Sequence, residues 1–233
     1  YGELVVTKNT SVINITAKSA NKTYDGQALT ETRYDFTQNI LAEGDVLTAV
    51  VEGSQTDAGS SANVVKSYKV MRGDVDVTDF YTFGEIENGT LTVTERKVTL
   101  TSKSADKPYD GTPLTNHNVT VSGDGFVDGE GASYTFTGSQ TNNGSSKNTF
   151  NYELNANTKA KNYEITKEYG DLTVTAVSTQ IVITANSKTE VYSGQAVTDS
   201  NYTYTGKLAD GDKLEVEVVG SQTNNGSSKN TFN

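Results

Sequence analysis

Apolar and polar residues alternate with period two along most of this chain, and the alternation recurs at a fixed distance. Leu47, Ala49 and Val51 line up with Ala132, Tyr134 and Phe136, and with Leu214, Val216 and Val218. The intervening Thr48, Ser133, Thr135, Glu215 and Glu217 point the other way, as on a half-buried strand. Ile13 and Ile15, Val98 and Leu100, and Ile181 and Ile183 repeat the pattern, as do Leu4 and Val6, Leu91 and Val93, and Leu172 and Val174. Nowhere do apolar residues recur at helical spacing over three turns, and Thr, Val, Tyr, Asn and Gly suit pleated surfaces and tight turns. The pattern predicts an all-β chain of small antiparallel β-sandwich modules, Ig-like in outline; a β-grasp-like sheet gives nearly the same linear signal.

The recurrence extends to the letters themselves. Residues 138 to 151 and 220 to 233 both read GSQTNNGSSKNTFN, and a diverged copy, GSQTDAGSSAN, occupies 53 to 63. Tyr24-Asp25-Gly26, Tyr109-Asp110-Gly111 and Tyr192-Ser193-Gly194 keep the same beat. A period of about 83 residues is too long for a solenoid repeat and long enough for a module with its own core. The expected organisation is a closing strand of a preceding repeat at 1–12, modules at 13–97 and 98–180, and a truncated module at 181–233. The third copy lacks counterparts of Tyr152 to Thr175. Either the segment is an excerpt of a longer chain, the favoured explanation, or neighbouring chains complete each other head to tail. Only Glu95, Arg96 and Lys97 separate the first closing strand from the next opening one, and Ala176 to Gln180 the second pair. Linkers this short, without Gly or Pro clusters, predict a semi-rigid stack in an elongated array.

Composition narrows the classes further. The 233 residues include no Cys, one His, two Pro and no Trp, with 29 acidic against 19 basic side chains and a formal charge of −10. A disulfide framework, a His-based metal cluster and a Cys nucleophile are excluded, and the scattered basic residues form no nucleic-acid or anionic-membrane patch. No apolar run approaches the roughly 18 to 20 residues of a membrane span. An enzyme is disfavoured, because glycine-rich stretches lack the Lys and strand-to-helix setting of a phosphate loop.

The second repeat carries Lys107-Pro108-Tyr109-Asp110-Gly111, then Pro113-Leu114-Thr115, Asn162-Tyr163-Glu164-Ile165 and Gly170 to Thr175. This order resembles the tandem YDG or MBG repeats of large bacterial cell-surface and adhesin-like proteins. The first repeat reads Asp79-Phe80-Tyr81-Thr82 where the second has its Asn-Tyr-Glu-Ile, and the third has Ser193 in place of Asp. The resemblance implies an extracellular stalk or adhesin repeat, anchored to a cell wall through other parts, with no catalytic residue; no cofactor is expected, calcium being the one alternative.

Several motifs invite a sharper reading. Arg72-Gly73-Asp74 is an adhesion tripeptide in letters, but it occurs once and Gly-Asp is ordinary turn chemistry. Glu43-Gly44-Asp45, Asp128-Gly129-Glu130 and Asp210-Gly211-Asp212 recur in register, with Asp124 near the second. Their oxygens make Asp124, Asp128, Glu130, Asp210 and Asp212 calcium candidates, yet each triplet precedes an alternating strand, where the glycine serves a turn. His117 is assigned to the surface. Tyr24, Tyr109 and Tyr192 read as buried rings with bonded hydroxyls, against the alternative of a sugar-stacking platform. Lys22 and Lys107 are candidates for Lys–Asn isopeptide cross-links, and Glu190 at the third position argues against an obligatory link. Asn142-Asn143-Gly144, Asn224-Asn225-Gly226 and Asn88 are turn residues prone to deamidation, and any glycan on them depends on the host.

The leading expectation is therefore a structural stalk or fibre of a bacterial surface adhesin, projecting a distal function from the cell. The alternatives are repeats that bind host glycan, mucin or matrix protein, and a filament built by strand exchange between chain ends. The expected partners are other repeats of the same chain, with no nucleic acid and no membrane insertion.

Overall fold

The computed structural model describes residues 1–233 and is all-β, with two single-turn 3₁₀ segments as its only helical structure. The first repeat forms β1 (Val12–Ala17), β2 (Ala20–Thr23), β3 (Tyr34–Phe36), β4 (Asp45–Glu52), β5 (Gly59–Arg72), β6 (Val75–Asp76), β7 (Thr82–Glu87) and β8 (Gly89–Thr94). The second forms β9 (Arg96–Ser102), β10 (Ala105–Pro108), β11 (Val119–Gly123), β12 (Ala132–Phe136), β13 (Gly144–Lys147), β14 (Phe150–Leu154), β15 (Tyr163–Glu168) and β16 (Asp171–Thr175). The third contributes β17 (Val182–Ala185) and β18 (Tyr202–Thr205).

The pairing is mixed, which corrects the expectation of purely antiparallel sandwiches. β1 pairs antiparallel with β3 but parallel with β7, and β9 pairs parallel with β15. Likewise β8 runs parallel to β2 and antiparallel to β5, while β16 runs parallel to β10 and antiparallel to β13. Parallel neighbours need a long crossover rather than a hairpin, and here the rest of the repeat supplies it. Period-two alternation cannot distinguish the two directions, because the side-chain period is the same in both.

The chain divides into two compact units. One comprises Tyr1–Thr101, Val121–Tyr134 and Tyr152–Glu168; the other comprises Ser102–Thr120, Thr135–Asn151 and Tyr169–Asn233. The second repeat thus contributes to both.

In the first unit the alternation resolves into a core of Ile13, Ile15, Leu47, Val70, Val77 and Tyr81, with Tyr34, Phe36, Tyr68 and Phe83 packed against it. The opposite positions of β4, Val46 and Val50, are exposed. Leu91 and Val93 are buried on the central strand β8, each contributing about 1.5–3 kcal/mol of burial. In the second unit Phe150, Leu172 and Val174 are buried, and Phe150 packs against Phe136 and edge-on against Tyr169. His117 is exposed, as expected, and lies flat on Phe136 with ring centroids 5.1 Å apart.

Two expected strands are not formed. Leu4 and Val6 are fully exposed, and residues 1–10 pair with no ladder, since no strand lies on either side of them as β2 and β5 flank β8. Residues 214–218 keep alternating exposure but make only one isolated bridge, Val218 with Phe232. The first linker is also shorter than expected. Arg96 and Lys97 belong to β9, leaving Glu95 alone between β8 and β9.

Candidate repeat-to-repeat contact site

Each repeat folds its Tyr-Asp-Gly segment into the same turn. Gly26, Gly111 and Gly194 all have positive φ, +79°, +81° and +76°, which a side-chain-bearing residue adopts at a cost. The lysine three positions before the Asp explains the spacing of the motif. Lys22 Nζ pairs with Asp25 at 2.5 Å and donates to the Gln27 carbonyl, while Lys107 Nζ pairs with Asp110 at 2.6 Å and donates to the Thr112 carbonyl. The Lys107 ammonium, followed by bonds from Thr112, holds the Asp110 carboxyl well below its usual range. In the third repeat Ser193 replaces the Asp, and Lys188 pairs instead with Glu190.

The acidic-Gly-acidic triplets also fold alike. Gly44, Gly129 and Gly211 have positive φ, and the amides of Asp45, Glu130 and Asp212 each bond back three residues, to the carbonyls of Ala42, Val127 and Ala209. Their carboxylates then face tyrosines. Asp45 accepts the Tyr81 hydroxyl at 2.5 Å, and Glu130 accepts the Tyr163 hydroxyl at 2.9 Å. The same two hydroxyls accept the amides of Ala42 and Val127. Each tyrosine directly follows a 3₁₀ turn, Thr78–Phe80 or Ala160–Asn162. Tyr81 therefore matches Tyr163, and the sequence pairing of Asp79–Thr82 with Asn162–Ile165 shifts by one residue.

In the first unit these two recurring pieces meet across the repeat boundary. The Tyr24 hydroxyl of the first repeat bonds Glu130 of the second at 2.6 Å, and its ring packs edge-on against Tyr163 at 5.6 Å. Tyr24 is only 5% exposed. Its hydroxyl pKa is pushed up to about 12, first by the bond to Glu130 and then by burial. Beside it, Asp57 pairs with Lys159 and Lys161, both at 2.9 Å, and accepts from the buried Asn162 amide. The Lys159 ammonium, then Asn162 and Lys161, hold the Asp57 carboxyl well below its usual range. Asn162 completes a reciprocal pair by accepting the Ala58 amide at 2.8 Å. Arg96 closes the site from β9, donating to the carbonyls of Gly125, Asp124 and Tyr24. Taken as a linker residue in the sequence, it is a staple.

The second unit repeats the central bond. The Tyr109 hydroxyl reaches Asp212 at 3.1 Å, and that carboxylate, followed by burial, raises the Tyr109 pKa. Tyr192, by contrast, is 69% exposed. Buried rings with bonded hydroxyls describe Tyr24 fully and Tyr109 in part.

The remaining candidates fall as follows. Arg72 lies at the end of β5, and Gly73, with φ +55°, opens the two-residue turn to β6 as a type II′ hairpin requires. The Arg72 guanidinium is committed to Asp45 through two bonds of 2.6 and 3.0 Å. It holds the Asp45 carboxyl below its usual range, with Tyr81 second. Among the calcium candidates, Glu130 and Asp212 hold tyrosine hydroxyls, Asp124 accepts the Lys97 amide, and Asp128 and Asp210 are exposed. No group of three or more metal-ligating side chains converges anywhere. The Asn88 side chain accepts the Val65 amide.

One recurring device escaped the sequence reading. Asn63, Asn148 and Asn230, at the end of the repeated glycine-serine block, each donate two bonds to main-chain carbonyls. These are Lys18 and Glu31, Lys103 and Asn116, and Asn186 and Asp199, all at 2.8–2.9 Å. Asn63 and Asn148 are completely buried. Their Oδ1 atoms take no hydrogen bond. At Asn63 the oxygen lies against Gly53, where a Cβ would sit 2.7 Å from it. The signal was an asparagine, a poor strand former, at an inward position of an otherwise strand-like block.

Comparison with known protein families, with curated proteins and with solved structures returns no match. The likeness to the YDG and MBG repeats rests on the residues quoted above.

Proposed function

We propose that the chain is a run of stalk repeats from a bacterial surface adhesin or fibre, acting outside the cell to hold a distal function away from its surface. The observation that carries this reading is the contact between the first and second repeats. Its hydrogen bonds, ion pairs and ring packing are spent on a neighbouring repeat rather than left facing a ligand. A one-residue connection, Glu95, together with the Arg96 staple, favours a fixed direction over a flexible tether. The same tyrosine-to-acid bond recurs at the next boundary, so reach would scale with repeat number. This reading assigns no catalytic residue and no cofactor.

The test is adhesion by cells displaying the repeats in their native setting. Substitution of the exposed residues Asn142, in the loop before β13, and Lys147, at the end of β13, is expected to leave adhesion unchanged. Loss of adhesion on those substitutions would transfer the function to the repeats as binding modules for a host glycan, mucin or matrix protein.

A further inference from the structure

The opening and closing strands of the first repeat, which lies wholly within one unit, run side by side in one direction. β1 pairs parallel with β7, and β2 pairs parallel with β8. From Ile15 onward partners sit 71 positions apart, as Thr16 with Glu87 in one sheet and Ala20 with Leu91 in the next. Only Lys18 and Ser19 separate β1 from β2, and Asn88 alone separates β7 from β8. A reversal over so few residues would make a hairpin, yet β1 is not paired with β2, nor β7 with β8. Residues 12–23 and 82–94 therefore form one parallel ladder that passes from sheet to sheet. The Asn9 amide to the Phe80 carbonyl and the Tyr24 amide to the Thr94 carbonyl, both at 2.9 Å, extend it at its two ends.

At the crossing the two strands are locked together. A Cβ on Gly89 would collide with the Lys18 carbonyl oxygen, so glycine is what lets the backbones approach this closely. The Thr90 amide bonds the Ser19 hydroxyl at 2.9 Å, and buried Asn63, reaching over from β5, bonds the Lys18 carbonyl at 2.8 Å. The second repeat carries the same parts. β9 pairs parallel with β15, and β10 with β16, at a constant spacing of 67, as Thr101 with Glu168 and Ala105 with Leu172. A Cβ on Gly170 would sit 2.6 Å from the Ser102 carbonyl oxygen, the Asp171 amide bonds the Ser104 hydroxyl at 2.9 Å, and Asn148 bonds the Lys103 carbonyl at 2.9 Å.

We propose that this ladder is a shear clamp, and that a further function of the repeats is to bear tension. The chain enters the ladder at Val12, opposite Thr82, and leaves it at Thr94, opposite Thr23. A pull along the chain therefore drags two parallel strands past each other and loads their hydrogen bonds together. Pulling the same ends of the two strands apart would break those bonds one after another. A single hydrogen bond is weak in water, so resistance depends on how many are loaded at once. Opening and closing strands paired antiparallel would put entry and exit at the same end and would unzip, so the parallel direction is the feature that decides. The use of the clamp in the cell rests on the stalk reading; the clamp itself is read in force rather than in adhesion, so either can fail alone.

The experiment is single-molecule force spectroscopy on the full chain, which has no cysteine, so that introduced pairs serve as unique handles. Ser11→Cys with Glu95→Cys pulls the ladder in shear, and Ser11→Cys with Asp79→Cys pulls one end of it open. All three side chains are exposed, and circular dichroism checks that both variants are folded. The shear pair should rupture at several-fold higher force, in one step that lengthens the molecule by roughly 250 Å, the extended chain between the handles less the folded ladder. Forced rupture follows the unfolding rate along the pulled direction, so equal chemical stability with unequal rupture force is the expected signature. Equal forces in the two geometries, or stepwise peeling of β1 and β2 at low force ahead of the rest, would overturn the proposal.

Discussion

Replacing Tyr24 by Phe removes a single hydroxyl from the contact between the first two repeats. The ring remains able to pack edge-on against Tyr163, and Glu130 retains its second donor, the Tyr163 hydroxyl. What is lost is one hydrogen bond of 2.6 Å to a carboxylate in a half-buried setting. Bonds to charged groups contribute about 1.5–3 kcal/mol, so the variant should be destabilised by about that amount. Glu130→Gln weakens two tyrosine bonds and should cost more. In the double-mutant cycle the two changes should couple by about 1–2 kcal/mol, because they share one bond. The assay is urea unfolding followed by near-ultraviolet circular dichroism, which the 13 tyrosines dominate in a chain without tryptophan. The bond is also linked to pH. The folded Tyr24 pKa, about 12, lies above the ordinary value of 10.0, so its stabilisation is complete below pH 10 and lost as pH rises toward 12. Additive single variants, or a Tyr24→Phe chain with unchanged alkaline stability, would refute the reasoning.

Other consequences are open to measurement. Asn148→Ala deletes two bonds to buried main-chain carbonyls and should cost about 2–4 kcal/mol in chemical unfolding, with Asn63→Ala similar. Gly138→Ala places a Cβ 2.6 Å from the Thr149 nitrogen, so it should lower the melting temperature, whereas Gly129→Ala, with open space around it, should show only its backbone strain. Asp57 has a depressed carboxyl pKa, so the stability it confers is present above the ordinary carboxylate value and lost as pH falls below about 4. Asp57→Asn should flatten that acid limb of the stability profile.

How far the sequence reveals this architecture depends on the kind of interaction. Burial of Ile13, Ile15, Leu47, Leu91 and Leu172 follows from alternation alone, because a pleated strand must put every second residue on one face. Strand direction does not follow from it, which is why the parallel pairs β1 with β7 and β9 with β15 were not anticipated. Residues 4–7 and 214–218 have the right pattern and form no strand, since pattern supplies a face while a ladder also needs neighbours. The contact site was half legible. Tyr24 and the acidic triplets stood out as recurring letters, but their bond spans 106 residues, and no local rule joins Tyr24 to Glu130. Asp57, Lys159 and Asn162 have no counterparts of the same type in the other repeats, so recurrence could not flag them. Arg96 looked like linker because its three carbonyl partners come from segments distant in sequence.

The central claim is that successive repeats are fixed to one another through the Tyr24 and Asp57 contacts. Residual dipolar couplings of backbone amides test it most directly, measured on the full chain for residues 12–94 and for residues 121–134 and 152–168. A single alignment tensor fitting all three stretches with the structure's geometry is the predicted result. Two tensors of different magnitude, with the stretch from the second repeat averaged independently of the first, would contradict it.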